Sequence, residues 1–377
     1  MTGAPAFRDR FAYMRSDGNS MSNEDLLGFV TAVSGDAFLK VEESLGDGFV
    51  RLKVSEAERR QAKHDIRSVE DIVVELLRNA RDAHASRIFV ATTREGDRRT
   101  MTFVDDGVGI PGAMHEKVFE PRVTSKLESM VMDQWGVHGR GMALFSIRSN
   151  AAEARIAASE SHKGTALTIL IDSSQLVERA DQSTWPSVDR EPSGAFKVCR
   201  GPHNIIRRVV EFAVQHPGID VYLGSPAEVV ATLHAITRDH VDASDLLFCD
   251  DASALPVWQR PGGVSDADDL TDVAESLALP ISERTAHRVL AGELSVLPTV
   301  FQHVAGATLT GSEPAPDIYR DRRGLKIHHT DLAQFRGELE AAFDSIAERY
   351  YLHLKCEPKI IVGKDDIRVR FEVEKED

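Results

Sequence analysis

The stretch from Glu75 to Asp82, inside the run Val69 to Val90, constrains this chain more than any other. Ile72, Val73, Leu76, Leu77, Ala80 and Ala83 fall at helical spacing, so one face of the segment must lie against a core. Glu75, Asn79 and Asp82 recur three and four residues apart, which places them together on the neighbouring face. A carboxylate, an amide oxygen and a second carboxylate stacked along one helix can polarise a water and hold a hard cation such as Mg²⁺. The pattern predicts a helix anchored by one side and chemically equipped on its flank.

Three further motifs follow in order. The strand-like run Met101–Val104 leads into Asp105-Asp106-Gly107-Val108-Gly109-Ile110-Pro111, an acidic turn whose glycines let the backbone approach a flat ligand. Gly136-Val137-His138-Gly139-Arg140-Gly141 then runs into an apolar helix start at Met142. The bare N–H groups of a glycine-rich loop ahead of a helix favour phosphate. Gly164-Thr165 opens a last apolar strand ending at Ile171. These four boxes, in this order, resemble the N, G1, G2 and G3 motifs of the GHKL (Bergerat-fold) ATPases, the superfamily of gyrase B, the ninety-kilodalton heat-shock chaperones, histidine kinases and MutL. The resemblance covers residues 55–172.

It implies ATP and Mg²⁺ as ligands and gives each box a role. Glu75 would be the general base for the attacking water; histidine kinases usually carry asparagine there, so glutamate favours hydrolysis. Asn79 would give its amide oxygen to Mg²⁺, with Glu75 also near the metal and Asp82 supporting the site. Asp105 would accept the hydrogen bond of the adenine amino group, the contact that selects adenine over guanine. Gly107, Gly109 and Ile110 would let the ring lie close, and Thr165 would hold the water network on the adenine side. Asp106 stands where MutL usually has asparagine, and its role stays open. Gly136, Val137, His138, Gly139, Arg140, Gly141 and Met142 would cradle the phosphates, with His138 and Arg140 facing either phosphate or solvent. Lys126, from a lid over the nucleotide, faces the same two alternatives. Lys364 occupies the place of a MutL lysine that reaches the γ-phosphate from late transducer strands, with Lys359 and Lys326 as alternatives.

The rest of the chain reads as flanking segments. Residues 1–54 form an N-terminal extension with short apolar runs at 26–33 and 48–54. In MutL-like and gyrase-like relatives such a segment can cross to a partner subunit; a local extension is the other reading. Ser55 to Glu58 has capping-box form and predicts a helix start. Ile88–Thr92 and Met101–Val104 predict paired strands. Thr124-Ser125-Lys126 is similar to a MutL triplet, and Val118–Pro121 to histidine kinases. Ser, Asp, Pro and Gly collected between 173 and 194 predict a linker. Over 195–377 a second domain is expected: a strand at 194–201, an amphipathic helix stopped by His216-Pro217-Gly218, the strand Ile219–Leu223, a helical insertion over 226–300, then a strand at 318–329, a helix and two strands. Its helix, His-Pro stop and strand resemble the transducer domain of MutL and of the topoisomerase VI B subunit. Within the insertion, Val273 to Leu290 fits either a DNA-touching helix-turn-helix or an ordinary helical hairpin.

The expected fold class is α/β of the α+β kind: a Bergerat-fold ATP-binding sandwich followed by a β-α-β transducer-like domain with a helical insertion. A net charge of −15 argues against wholesale coating of nucleic acid, while a local basic patch stays compatible with it. No stretch is long and apolar enough to span a bilayer and no secretion signal opens the chain, so a cytoplasmic protein without membrane contact is expected. Cys199, Cys249 and Cys356 show neither metal nor redox spacing and are expected as buried thiols. Two functions follow. The first is a slow Mg²⁺-dependent ATPase whose ATP binding drives homodimerisation in DNA repair, topology or defence, with DNA and a separate nuclease or topoisomerase-like partner. The second is a histidine-kinase-like or chaperone-like ATP-binding signalling module.

Overall fold

A computed structural model describes residues 41–125, 131–133, 136–138, 141–192, 194–238, 252–310, 329–362 and 367–375. Strands β1 (Val41–Gly46) and β2 (Phe49–Leu52) pair across Asp47-Gly48, both at positive φ, as a tight hairpin with right-handed twist requires. Helix α1 (Glu56–Asp65) opens with the expected capping box: Glu58 N–H donates to Ser55 Oγ at 3.2 Å and Ser55 N–H to Glu58 Oε2 at 2.8 Å. Helix α2 (Val69–Asp82) is the amphipathic segment, and it buries Ile72, Val73, Leu76, Leu77 and Ala80. It stops at His84, whose φ is 60°. There His84 N–H reaches Arg81 O at 2.9 Å and Ala85 N–H reaches Ala80 O at 3.0 Å, the bond pair of a Schellman turn.

The expected strands follow as β3 (Arg87–Glu95) and β4 (Arg98–Asp105). After them come β5 (Val123–Thr124), β6 (Val131–Asp133), β7 (Gly136–His138), α3 (Ala143–Asn150), β8 (Glu153–Ser159) and β9 (Thr165–Asp172). The later chain forms β10 (Ser187–Arg190), β11 (Phe196–Arg200), α4 (Ile205–Gln215), β12 (Asp220–Gly224), α5 (Pro226–Thr237), α6 (Ala267–Ser276), α7 (Glu283–Leu290), α8 (Val300–Thr310) and α9 (His329–Tyr350). It closes with β13 (Leu352–Leu354), β14 (Lys359–Val362), β15 (Ile367–Arg370) and β16 (Val373–Lys375), in which β13 pairs with β16 and β14 with β15. The strand expected at 318–329 falls outside the described residues as far as 328, and His329 opens α9.

The chain divides into two units. The first combines residues up to Ile66 with Pro111–Asn150. It holds the sheet β1-β2-β5, the β6–β7 hairpin, and α1 packed on α3. Ion pairs tie Arg51 to Glu43 and Glu120, and Arg122 to Glu58.

The second unit, Arg67–Ile110 with Ala151 onward, is built on a five-stranded sheet in the order β12-β3-β4-β9-β8. All neighbours are antiparallel except β12 and β3, which run parallel. Phe89, Ala91, Val104, Ala166 and Tyr222 share one face and bury against α5, α6, α7 and the turn at Val257-Trp258; Phe89 stacks on Tyr222 at 4.7 Å. Alternation sends Ile88, Val90, Phe103, Ile169 and Val221 to the other face, where each is buried. Helix α4 packs beside β12, and α2 and α8 beside α4, so these helices form the opposite layer.

Three readings of the sequence change here. The stretch expected as a linker is tied to the folded body: Val69 N–H donates to Val177 O at 3.0 Å, Arg99 pairs with Glu178, and residues 187–190 form β10. Strand β12, from the segment assigned to the second domain, lies in the same sheet as β3. Cys199 and Cys356, expected as buried, are exposed, because β11 belongs to a two-stranded ribbon and Cys356 to the loop after β13. Cys249 lies outside the described residues. Residues 273–290 form a helical pair whose Ala274, Leu277, Leu279, Ala286 and Val289 join the apolar cluster over the sheet. No helix among the described residues is long and apolar enough to cross a membrane.

Candidate functional site

Along the flank of α2, Glu75 Oε1 accepts from Arg78 Nη1 at 2.6 Å, and the Arg78 side chain is buried. One turn further, the Asn79 amide nitrogen is buried with no hydrogen-bond partner among the described residues. A buried amide left so costs free energy that a ligand can return, and rotation of the amide offers oxygen in place of nitrogen at the same point. Asp82 Oδ1 accepts from Arg81 Nε at 3.0 Å and Nη2 at 2.9 Å, while Arg81 Nη1 lies 3.4 Å from His216 Nε2 at the end of α4. Asp82 thus fixes the Arg81 side chain that lies between the two helices.

Asp105 and Thr165 stand opposite each other on β4 and β9, on the sheet face that α2 and α4 cover, and both are buried. Asp105 Oδ1 accepts Gly107 N–H at 2.9 Å, and Val108 N–H donates to Ala83 O at 2.9 Å, joining the acidic turn to the end of α2. Close approach of the chain's own backbone requires both glycines. A Cβ on Gly107 would lie 2.7 Å from Ala83 O, and one on Gly109, at φ +70°, only 1.9 Å from Glu160 O. The space is taken by the chain's own backbone.

Ser159 was not singled out by any motif, yet it organises this corner. Its hydroxyl lies 3.0 Å from Thr165 Oγ1, donates to Gly164 O at 3.0 Å and receives Ile110 N–H at 2.7 Å. The only trace of it in the sequence is a serine closing a strand ahead of a polar turn. The adjoining Glu160 carboxyl is held below its ordinary range by a hydrogen bond from Lys163, with the charges of Lys163 and Arg260 adding to the effect. Asp106, left open above, is structural: it accepts Ser86 N–H at 2.7 Å, Ser86 Oγ–H at 2.6 Å and Arg87 N–H at 2.8 Å.

The glycine-rich segment belongs to the first unit. Gly136–His138, expected as loop, is strand β7, with Val137 opposite Met132. Gly141, at φ +67°, gives its carbonyl to Arg122 N–H at 2.8 Å, and a Cβ there would meet Val123 O at 3.1 Å. Met142 directly precedes α3. Lys126, Gly139, Arg140, Lys326 and Lys364 lie outside the described residues. Lys359 is engaged by Glu372 at 3.1 Å.

Among the described residues no group of three or more His, Cys, Asp and Glu side chains could hold a metal. A single amide with one carboxylate suits Mg²⁺, which keeps most of its waters and takes further oxygens from phosphate. The buried polar corner, the helix flank above it and the sheet beneath define a nucleotide-binding α+β sandwich. Residues 64–175 match the family of histidine kinase-, DNA gyrase B- and HSP90-like ATPases, and this part of the chain belongs to it. That membership supports ATP binding. No curated protein matches the chain.

Proposed function

We propose that this protein is a slow, Mg²⁺-dependent ATPase whose ATP-bound form dimerises and drives a DNA-processing partner. The observation that carries the reading is the unpartnered Asn79 amide one turn from Glu75, on a helix joined to the Asp105 turn. Asp105 would receive the adenine amino group while the Ser159–Thr165 hydroxyls hold the water beside it. Asn79 and Glu75 would face the phosphate end. Mg²⁺, when bound, offsets phosphate charge. Glu75, aimed by Arg78, would take the proton of the water that attacks the γ-phosphorus as the bond to the β,γ-bridging oxygen breaks.

The test combines phosphate release with light scattering. Wild type should release phosphate from Mg·ATP and double its mass with a non-hydrolysable analogue; Glu75→Gln should keep the mass change and lose turnover by about a hundredfold or more. Retention of the γ-phosphoryl group on a protein side chain would replace hydrolysis by phosphotransfer. Analogue binding with no change of mass would remove dimerisation.

A further inference from the structure

The strap between β9 and β10 grips two helices at once. Glu70, in the first turn of α2, is 2 % exposed. Its Oε1 accepts Arg179 N–H at 3.1 Å and Gln182 Nε2–H at 2.6 Å, and its Oε2 is buried without a partner. The other end of the same Gln182 amide, Oε1, accepts the Ile205 N–H at 2.9 Å, one of the orphan donors at the start of α4. Asp181 sets this geometry by taking Ser183 N–H at 3.2 Å, Thr184 N–H at 3.0 Å and Thr184 Oγ–H at 2.8 Å. Asn204, fully buried, caps α4 through Arg207 N–H at 2.8 Å and holds the strap by donating to Thr184 O at 2.9 Å. At the other end of the same helix pair, Asp82, Arg81 and His216 form the second tie. The two helices are therefore fastened at both ends, and at the leading end the Gln182 amide bonds to both of them.

We infer that Gln182 is a positioning residue for the nucleotide site, coupling the placement of α2, and so of Glu75 and Asn79, to the N-terminus of α4. The inference rests on the ATPase reading and extends it to the segment beyond residue 195, where it names the route by which nucleotide state reaches α4. Among the described residues the Glu70 carboxylate is bonded by Arg179 N–H and Gln182, so loss of the Gln182 amide removes the direct hydrogen-bonded relay between α2 and the α4 N-terminus while the bonds of each helix to the strap remain. Coupling between sites is reciprocal: what α4 does to nucleotide affinity, nucleotide does to the stability of α4. The physical carrier is a contiguous set of hydrogen bonds between two rigid helices.

The experiment is hydrogen exchange on the full chain with and without a Mg²⁺-loaded, non-hydrolysable ATP analogue, together with kcat and KM. Gln182→Met keeps volume and removes both bonds; Gln182→Glu keeps the acceptor for Ile205 N–H and sets a second carboxylate against Glu70. Wild type should show amides 205–208 slowed by the analogue about threefold or more, with β12 amides 221–223 unchanged as a control for the fold. Both variants should lose that slowing, and kcat should fall about tenfold with KM within about threefold. Retention of the slowing in Gln182→Met, or an equal loss of protection in β12, overturns the coupling. If the analogue binds wild type without slowing 205–208, the coupling fails and the ATPase reading stands. If the analogue does not bind wild type, both fail.

Discussion

The two faces of the five-stranded sheet are made by alternate residues of the same strands, yet they end differently. Over one face lie α5, α6 and α7, and the buried hydroxyls there are spent inside the protein. Thr102 Oγ1 donates to Ala278 O at 2.7 Å, and Thr168 Oγ1 lies 3.1 Å from Thr102 Oγ1. Over the other face lie α2 and α4, and polar groups gather at one end: Asp105, Thr165 and Ser159, with the unpartnered Asn79 amide on the helix flank. Burial alone does not mark a site. What sets the Asn79 flank apart is a buried amide nitrogen whose hydrogen-bonding capacity is unused among the described residues, which costs stability that a ligand can restore.

The comparison is open to attack on either face. Leu270→Ala, at a fully buried position of the apolar layer, should cost about 3 kcal/mol of stability, read by urea unfolding, and leave nucleotide affinity unchanged in the folded fraction. Asn79→Ala should weaken Mg·ATP-analogue binding by about 2 kcal/mol, some thirtyfold or more, with little change in melting temperature since its amide nitrogen has no internal partner to lose. Thr102→Val should do the reverse, with a loss of about 1 kcal/mol of stability and no effect in a binding titration. Ala278→Gly should raise stability by about 0.7 kcal/mol, because Ala278 ends α6 at φ 54°, a conformation glycine adopts without strain. A thermal melt checks it. Should Thr102→Val weaken nucleotide binding, the division of labour between the faces would be wrong.

Much of this was legible in the sequence where the signal is local. The apolar repeat of α2, the capping box at Ser55 and the strand pair around Gly96 each depend on neighbours within a few residues. The buried placement of Asp105 and Thr165 was legible only through the order of the four boxes. Long-range features were not legible: nothing near Asp220 announces a parallel pairing with β3, and nothing around Gln182 announces two helix termini brought to one amide. At Gly107 and Gly109 a missing Cβ does not say what fills its place, and the close approach of the chain's own backbone there was not legible. Ser159 escaped because a single hydroxyl carries no pattern; its importance comes from three partners brought together by the turn between β8 and β9. Cys199 and Cys356 escaped for the opposite reason: free thiols are usually buried, but Cys199 stands on the exposed side of a two-stranded ribbon and Cys356 in the loop after β13.

The most direct test of the account is a calorimetric titration of Mg²⁺ with a non-hydrolysable ATP analogue into wild type, Asn79→Ala and Thr102→Val. The account predicts binding by wild type and Thr102→Val with matching affinity, and binding by Asn79→Ala weakened by about thirtyfold or more. Equal affinity for wild type and Asn79→Ala would contradict it, and so would the absence of any heat of binding with wild type.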